Sequence, residues 1–537
     1  MSIMTRTDFY KTGHAPMFPA GSQRVYDNWT PRSVGYAQTN KITVYGIQSL
    51  IMKRLIKEFN ETFFALPTDE AVRRYKRRMD NAMGPGVIDT KYVKQLHELG
   101  FLPIHIKALP EGVEVNPKIP MLTIINTLDD FYWLPNYLET VCSGELWLPM
   151  TSASIAREYR RILVEYAEKT GTPLDFVNVQ GHDFSCRGMY PEAAAASGSG
   201  HLLSFWGTDT ISSIDFLEDW YGADSDKEMV GCSVPATEHS VMCMGGQETE
   251  IDTFKRLLKL HPSGIISIVS DTWDFWKVMT EMAPALKAEI RERTAIADPD
   301  GNVIVPGKTV FRPDSGCPVK ILTGYKVFDA GIYFQHPTFT MSQIEAVWDI
   351  IPQAEAIKVG DRYFTLAEGK AKELMECEIK GAVETLWDNF GGSTNAKGFK
   401  QLEEVGLIYG DSITLERAKL ICQRLMDKGF ATGNVVLGIG SFTYQYNTRD
   451  TYGFAMKATW GKVNGEGREI MKDPKTDDGL KKSLKGLLRV ELEEEEYVVY
   501  DQQTEEQEKQ GELKTVFLNG VLTSPVTLAE IRARIQA

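Results

Sequence analysis

Thr309-Val-Phe311 runs into Arg312-Pro-Asp-Ser-Gly316, Leu407-Ile-Tyr409 into Gly410-Asp411, and Val435-Val-Leu437 into Gly438-Ile-Gly-Ser441. Each short β-rich run ends abruptly in glycine or polar residues, and a helix-like segment follows. Residues 265–270, ending at Asp271, repeat the pattern. Strands that alternate with helices run parallel, because the helix carries the chain back to the starting edge. Several such units favour a (β/α) barrel-like domain over a small open sheet. In such barrels the C-terminal strand ends build the active site, and phosphate commonly sits at the loops after the last two strands. The Gly438/Gly440 turn falls there.

Outside these units the pattern changes. Between residues 321 and 406 the alternation weakens to Tyr325-Lys-Val-Phe, a strand-like Ala356-Ile-Lys-Val before Gly360-Asp361, and a helix-like stretch over 367–378, which together read as an insert. Towards the N-terminus, apolar residues recur at helical spacing over 44–55, a basic helix follows at 70–79, and strands are expected at 102–109 and 121–126. Near the C-terminus, Thr515-Val-Phe-Leu-Asn-Gly-Val-Leu-Thr523 predicts a hairpin, since Asn519-Gly520 suits a type I′ turn. The acidic, Gln-rich stretch 491–508 reads as a solvated edge. The expectation is an α/β protein: an irregular (β/α) barrel-like domain over 151–450 with an insert at about 321–406, and a mixed sheet-and-helix domain formed by 1–150 and 451–537.

With 537 residues, 43% of them hydrophobic, the chain has material for more than one core. Its net charge of −14 argues against general affinity for nucleic acid or anionic membrane, so any anionic substrate must meet a local cluster of cations. The first residues lack a signal-like apolar run and no stretch approaches a membrane span, so a cytoplasmic location is expected. Seven cysteines without a CxxC pair indicate neither a zinc site nor a disulfide framework. The Walker-type loop and the GxGxxG fingerprint are both absent.

Several short segments carry candidate chemistry. In Gly181-His-Asp-Phe-Ser-Cys-Arg-Gly188, Phe184 offers a face to a flat ring and Arg187 a guanidinium to a phosphate. The plainer reading, a core Phe and a surface Arg, stays open. Asp209 lies in a Gly-Thr turn, where an ordinary N-cap is a rival. His239 lies two or three residues into a helix-like stretch, flanked by Glu238, where a structural histidine is the plainer reading. Asp271, Asp274 and Asp314 put carboxylates at strand ends where hard Mg²⁺ could be held. Arg449 and Lys457 follow the Gly438/Gly440 turn and suit an anion cradle.

Taken in order, these segments resemble the nicotinamide phosphoribosyltransferases, a type II phosphoribosyltransferase family. Thr7-Asp-Phe-Tyr-Lys-Thr-Gly-His14, Ile104-His-Ile-Lys-Ala-Leu-Pro-Glu-Gly112, His182-Asp-Phe184, Gly207-Thr-Asp-Thr210, Ser233-Val-Pro-Ala236, Arg312-Pro-Asp-Ser-Gly316 and Thr448-Arg-Asp450 carry the likeness. It implies transfer of phosphoribosyl from 5-phosphoribosyl-1-pyrophosphate to nicotinamide in NAD salvage. It also implies a homodimer with shared active sites, in which Phe184 of one subunit and Tyr10 of the other sandwich the ring. Asp209 would bind the carboxamide and Arg312 would help fix the ring. Asp271 and Asp314 would line the ribose and Mg²⁺ region. Arg187, Gly410, Asp411, Gly440, Arg449 and Lys457 would surround phosphoribosyl and nucleotide groups. His239 aligns with a histidine that is phosphorylated by ATP, the implied co-substrate.

The chain departs from the pattern at Ser412, where relatives often carry glycine, and in a longer segment between Gly316 and Gly406. Two rivals remain: a nicotinate phosphoribosyltransferase of the same fold, which Asp209 disfavours because a carboxylate repels another carboxylate, and a binding protein on an inherited enzyme scaffold.

Overall fold

The computed structural model describes residues 2–35, 37, 39–333, 339–410, 412–471 and 484–536. Six short strands form one parallel sheet: β1 (Gly181–Asp183), β2 (Gly207–Thr208), β3 (Ile265–Val269), β4 (Lys308–Arg312), β5 (Val405–Tyr409) and β6 (Val435–Ile439). Their spatial order is β2-β1-β6-β5-β4-β3. The extended segment 232–237 joins the two edges. Cys232 N–H donates to the Trp206 carbonyl and the Cys232 carbonyl accepts from Thr208, while Thr237 N–H donates to Ser267 and Ser267 N–H to Pro235. The sheet thus curls round on itself, and its edge strands are covered rather than left open. All five residues of β5 are buried, as expected where both faces of a parallel strand are covered. Phe311, Val269, Leu407 and Leu437 help fill the core.

A second, antiparallel sheet has seven strands in the order Glu466–Glu469, Ala455–Val463, Ser22–Thr30, Leu122–Asn126, Ile104–Ala108, Lys514–Leu518, Val521–Leu522. It therefore mixes strands from both ends of the chain. Between the sheets runs helix α1 (Leu134–Thr170), whose 37 residues span about 55 Å. Its first half buries Leu138 and Met150 in the core of the antiparallel sheet, and its second half buries Tyr159 and Leu163 in the barrel core.

Strands Val327–Asp329, Ala356–Val359, Arg362–Ala367 and Lys370–Leu374 form a small sheet with the helix Met341–Ile350 packed on it around Ile344, Trp348, Ile357 and Phe364. A salt bridge from Arg424, on the helix Leu415–Asp427 after β5, to Glu355 fastens it to the barrel.

Some local expectations are corrected. The helix-like stretch 367–378 is instead the end of strand Arg362–Ala367, strand Lys370–Leu374 and a short helix Glu376–Lys380. Glu368 and Gly369 both take positive φ, which makes a tight turn where helical spacing suggested continuity. The acidic stretch 491–508 is solvent-facing as expected, and is largely a hairpin, Leu487–Glu493 with Glu496–Gln503, turning at Glu494 and Glu495 with positive φ. The helix expected from 44 starts at Ile47, after Gly46 at φ 87°, and continues with wide π-type turns. Among the described residues, no helix is long and apolar enough to cross a membrane.

Candidate active site

The C-terminal ends of the barrel strands gather most of the candidate residues on one rim. Phe184 follows β1, Asp209 follows β2, His239 follows the joining segment, Asp271 follows β3, Asp314 follows β4, Gly410 follows β5 and Gly440 follows β6. Asp411 lies outside the described residues.

Phe184 is held by its N–H, which donates to the Ile439 carbonyl at 2.9 Å, and its ring lies across Gly438. A Cβ at Gly438 would come within 2.4 Å of the Tyr409 carbonyl oxygen and 2.8 Å of the Phe184 ring, so this glycine makes the ring's seat. Below it, fully buried Asp183 accepts from Ser185 N–H at 2.9 Å and from the Thr210 hydroxyl at 2.7 Å. That carboxylate ties the loops after β1 and β2 together, which fixes Phe184 relative to Asp209.

Asp209 is approached from two sides. His182 Nε2 lies 2.9 Å from its Oδ1, and the Ser233 hydroxyl donates to the same oxygen at 2.7 Å. Since the carboxylate can only accept, His182 carries its proton on Nε2 here. Burial alone would raise the Asp209 carboxyl, but His182, Ser233 and the charge of Arg312 outweigh it and hold the group below the usual range. The His182 ring also lies 4.6 Å from the Phe184 ring, centroid to centroid. Arg312 donates through Nη2 to the Thr237 carbonyl at 2.8 Å, and its buried Nε has no partner among the described residues.

A carboxylate pair stands on the neighbouring strands. Asp271, whose side chain is 5% exposed, accepts through Oδ2 from Asp314 N–H at 3.0 Å. Its Oδ1 is buried without a hydrogen-bond partner among the described residues and sits 3.9 Å from His239 Nε2. His239 is half-exposed, with Nδ1 3.2 Å from the Thr272 hydroxyl. Gly410 leaves room for this pair, because a Cβ there would lie 2.6 Å from Asp314 Oδ1. No group of three metal-ligating side chains occurs among the described residues; the buried, unpartnered Asp271 Oδ1 is an oxygen of the kind a hard cation takes. Asp274 does not join it; its carboxylate caps a helical turn by accepting from Lys277 N–H.

Arg187 lies exposed on the loop after Phe184, and Gln445 ties that loop to the one after β6 by donating to the carbonyls of Ser185 and Arg187. Three candidates are elsewhere on the chain. Tyr10 is 61% exposed in the turn Phe9–Gly13, where its ring meets His14 and the Lys11 ammonium. Lys457 is exposed on the antiparallel sheet opposite Asn28. Arg449 starts the turn Arg449–Thr451 and pairs with Asp450 at 3.3 Å. Within one chain no described contact joins Tyr10 to Phe184.

His182, Ser233 and Asp183 were not singled out from the sequence, although all three stand in the quoted motifs. His182 and Ser233 sit on different staves and meet Asp209 only through strand pairing, which no local spacing reveals.

The family model described as the nicotinate phosphoribosyltransferase (NAPRTase) family matches residues 179–521. The chain belongs to this family. The match opens just before β1 and covers every rim residue named above, whereas Tyr10 precedes it. A relative from Acinetobacter baylyi, named nicotinamide phosphoribosyltransferase, is 50% identical over 536 residues, covering 98% of this chain and 96% of its own. One of the same name from Mycoplasma pneumoniae is 29% identical, over 88% of this chain and 92% of its own. The fold is also that of a nicotinate-nucleotide pyrophosphorylase from Pyrococcus furiosus, with TM-score 0.53 and 14% identity over 99% of this chain and 95% of that one. The resemblance noted in the sequence is therefore borne out, and this family member is a phosphoribosyltransferase. The family description names the acid and the relatives name the amide, so membership alone does not choose the pyridine.

Proposed function

We propose that this enzyme joins nicotinamide to 5-phosphoribosyl-1-pyrophosphate, giving nicotinamide mononucleotide and pyrophosphate for NAD salvage. The observation that carries the reading is Asp209, an ionised carboxylate hydrogen-bonded to His182, whose ring lies against Phe184. It accepts from a carboxamide N–H and repels a carboxylate. The name of the 50%-identical relative supports the same choice.

In the reaction the pyridine nitrogen bonds to the anomeric carbon, the bond from that carbon to pyrophosphate breaks, and its electron pair leaves on the pyrophosphate oxygen. The ring becomes cationic, so an aromatic face gains attraction for it as the bond forms. Phe184 supplies one face, and Tyr10 of a second subunit the other, in a homodimer with shared sites. Arg312 helps orient the ring. Arg187, Arg449 and Lys457, with the backbone at Gly410, Asp411 and Gly440, hold phosphoribosyl and nucleotide groups. Asp271 and Asp314 are the residues that would hold Mg²⁺, which would supply positive charge for the departing pyrophosphate. No side chain attacks the sugar, and placement and electrostatics supply the rate.

A His239 ring nitrogen bonds to the γ-phosphorus of ATP as the bond to ADP breaks and ADP leaves with its electron pair, and the Asp271 carboxylate 3.9 Å away favours positive charge on the imidazole. The barrel-like part over 151–450, with its insert, and the mixed part formed by 1–150 and 451–537 act as two domains of a cytoplasmic enzyme. The direct test incubates the protein with nicotinamide, phosphoribosyl pyrophosphate and Mg²⁺ and looks for nicotinamide mononucleotide; none formed would refute the reading. With γ-labelled ATP, acid-labile label should enter the wild type and be lost in His239→Ala. Label that persists there removes the phosphohistidine.

A further inference from the structure

The two bonds that Asp209 receives are asymmetric. Both protein donors, His182 Nε2 at 2.9 Å and the Ser233 hydroxyl at 2.7 Å, fall on Oδ1, and none of the described residues hydrogen-bonds Oδ2. Three adjacent staves deliver this arrangement. His182 belongs to β1, Asp209 directly follows β2, and Ser233 follows Cys232, which pairs with Gly207 of β2. The fit at His182 is tight, since a Cβ on Gly207 would lie 2.8 Å from its Nδ1. With its Nδ1 side closed off and its ring against Phe184, the imidazole has its Nε2 directed at Oδ1.

We infer that His182 and Ser233 are the specificity-determining positioning residues for the amide over the acid. They occupy one oxygen of Asp209 and leave the other without a protein donor among the described residues, open to a substrate N–H. This rests on the nicotinamide reading above. A nicotinic acid carboxylate could be accepted only if a proton stood between it and Asp209. Two donors on Oδ1 oppose that proton, because hydrogen bonds to the charged form favour it. Neither residue touches the reacting atoms in this scheme. Their effect appears in the choice between two substrates that differ only at the ring substituent.

The test compares kcat/KM for nicotinamide and nicotinic acid in wild type, Ser233→Ala, His182→Leu and His182→Gln, with folding checked by thermal melting. Ser233→Ala lies at an exposed position and should fold. It should lower the amide-to-acid ratio about tenfold, the order expected for one lost hydrogen bond to a charged group. His182→Leu should lower it at least as much, and His182→Gln, which keeps an N–H near the Nε2 position, should restore most of it. A ratio unchanged in both Ser233→Ala and His182→Leu overturns the inference. So does a His182→Gln ratio as low as that of His182→Leu, because packing rather than the donor would then be responsible. A wild type that prefers the acid would instead bring down the nicotinamide reading, and this inference with it.

Discussion

Lys11 is a single ammonium placed between two carboxylates. It is almost fully buried, pairs with Glu139 and donates to the Asn136 carbonyl at 3.0 Å. Fully buried Asp27 shares its field, with Oδ2 lacking a partner among the described residues and Asn136 Nδ2 a distant 3.5 Å from Oδ1. Burial, reinforced by Glu139 and opposed by Lys11 and Lys457, pushes the Asp27 carboxyl up to about 7. The folded protein therefore binds this proton more tightly than the unfolded chain. The contribution of Asp27 to stability is greatest below the ordinary carboxylate range, falls as pH rises through the window up to about 7, and is flat above it, with a total effect on the order of a few kcal/mol. Asp27→Asn should raise the melting temperature at pH 8 and change it little at pH 4. An equal shift at both pH values would show that burial of this carboxyl is not the cause. Residues of this kind are illegible in the sequence, because nothing local in the strand Ser22–Thr30 announces that Asp27 will face α1 without a counterion of its own. Asp314 was legible because the strand end on which it stands was, and Phe184 because it lies between glycines and three residues before an arginine in the Gly181–Gly188 segment.

The elements divide by how local their causes are. The hairpin at Asn519-Gly520 was readable since both residues take positive φ, 49° and 87°, as a type I′ turn requires. Its acidic counterpart at Glu494-Glu495 makes the same demand with residues that carry no turn signal. Strands β3, β4, β5 and β6 could be read from their apolar runs, whereas β1 and β2, with three and two residues, are too short to show any pattern. Ser412 takes φ 53°, which accounts for a preference for glycine at that place. The insert was visible only as a weakening of the alternation, and its attachment through Arg424 and Glu355 joins residues far apart in sequence. Arg424 is 8% exposed and Glu355 25%, so removing one partner strands a partly buried charge. Arg424→Ala should destabilise the protein by about 2 kcal/mol, seen as a lower thermal midpoint. The double variant Arg424→Met/Glu355→Leu should recover most of the loss, and a double variant no better than the single one would point to lost packing instead.

At the scale of the whole molecule, no described contact within one chain joins Tyr10 to Phe184, and the proposed homodimer would bring the two together. Phe184→Ala and Tyr10→Ala should each be nearly inactive alone. If sites are shared across subunits, mixing the two variants through coexpression creates dimers in which one site carries both changes and the other neither, returning about a quarter of wild-type activity for random assembly. No recovery in confirmed mixed dimers would mean that each chain completes its own site. The net charge of −14 makes local gathering of cations necessary for a substrate that carries a diphosphate. The most direct measurement of the central claim places equal concentrations of nicotinamide and nicotinic acid in one reaction with phosphoribosyl pyrophosphate, Mg²⁺ and ATP, and reads the two mononucleotides by mass. An Asp209 carboxylate facing the substituent predicts an amide product in excess by at least about a hundredfold; equal amounts, or more of the acid product, would contradict it.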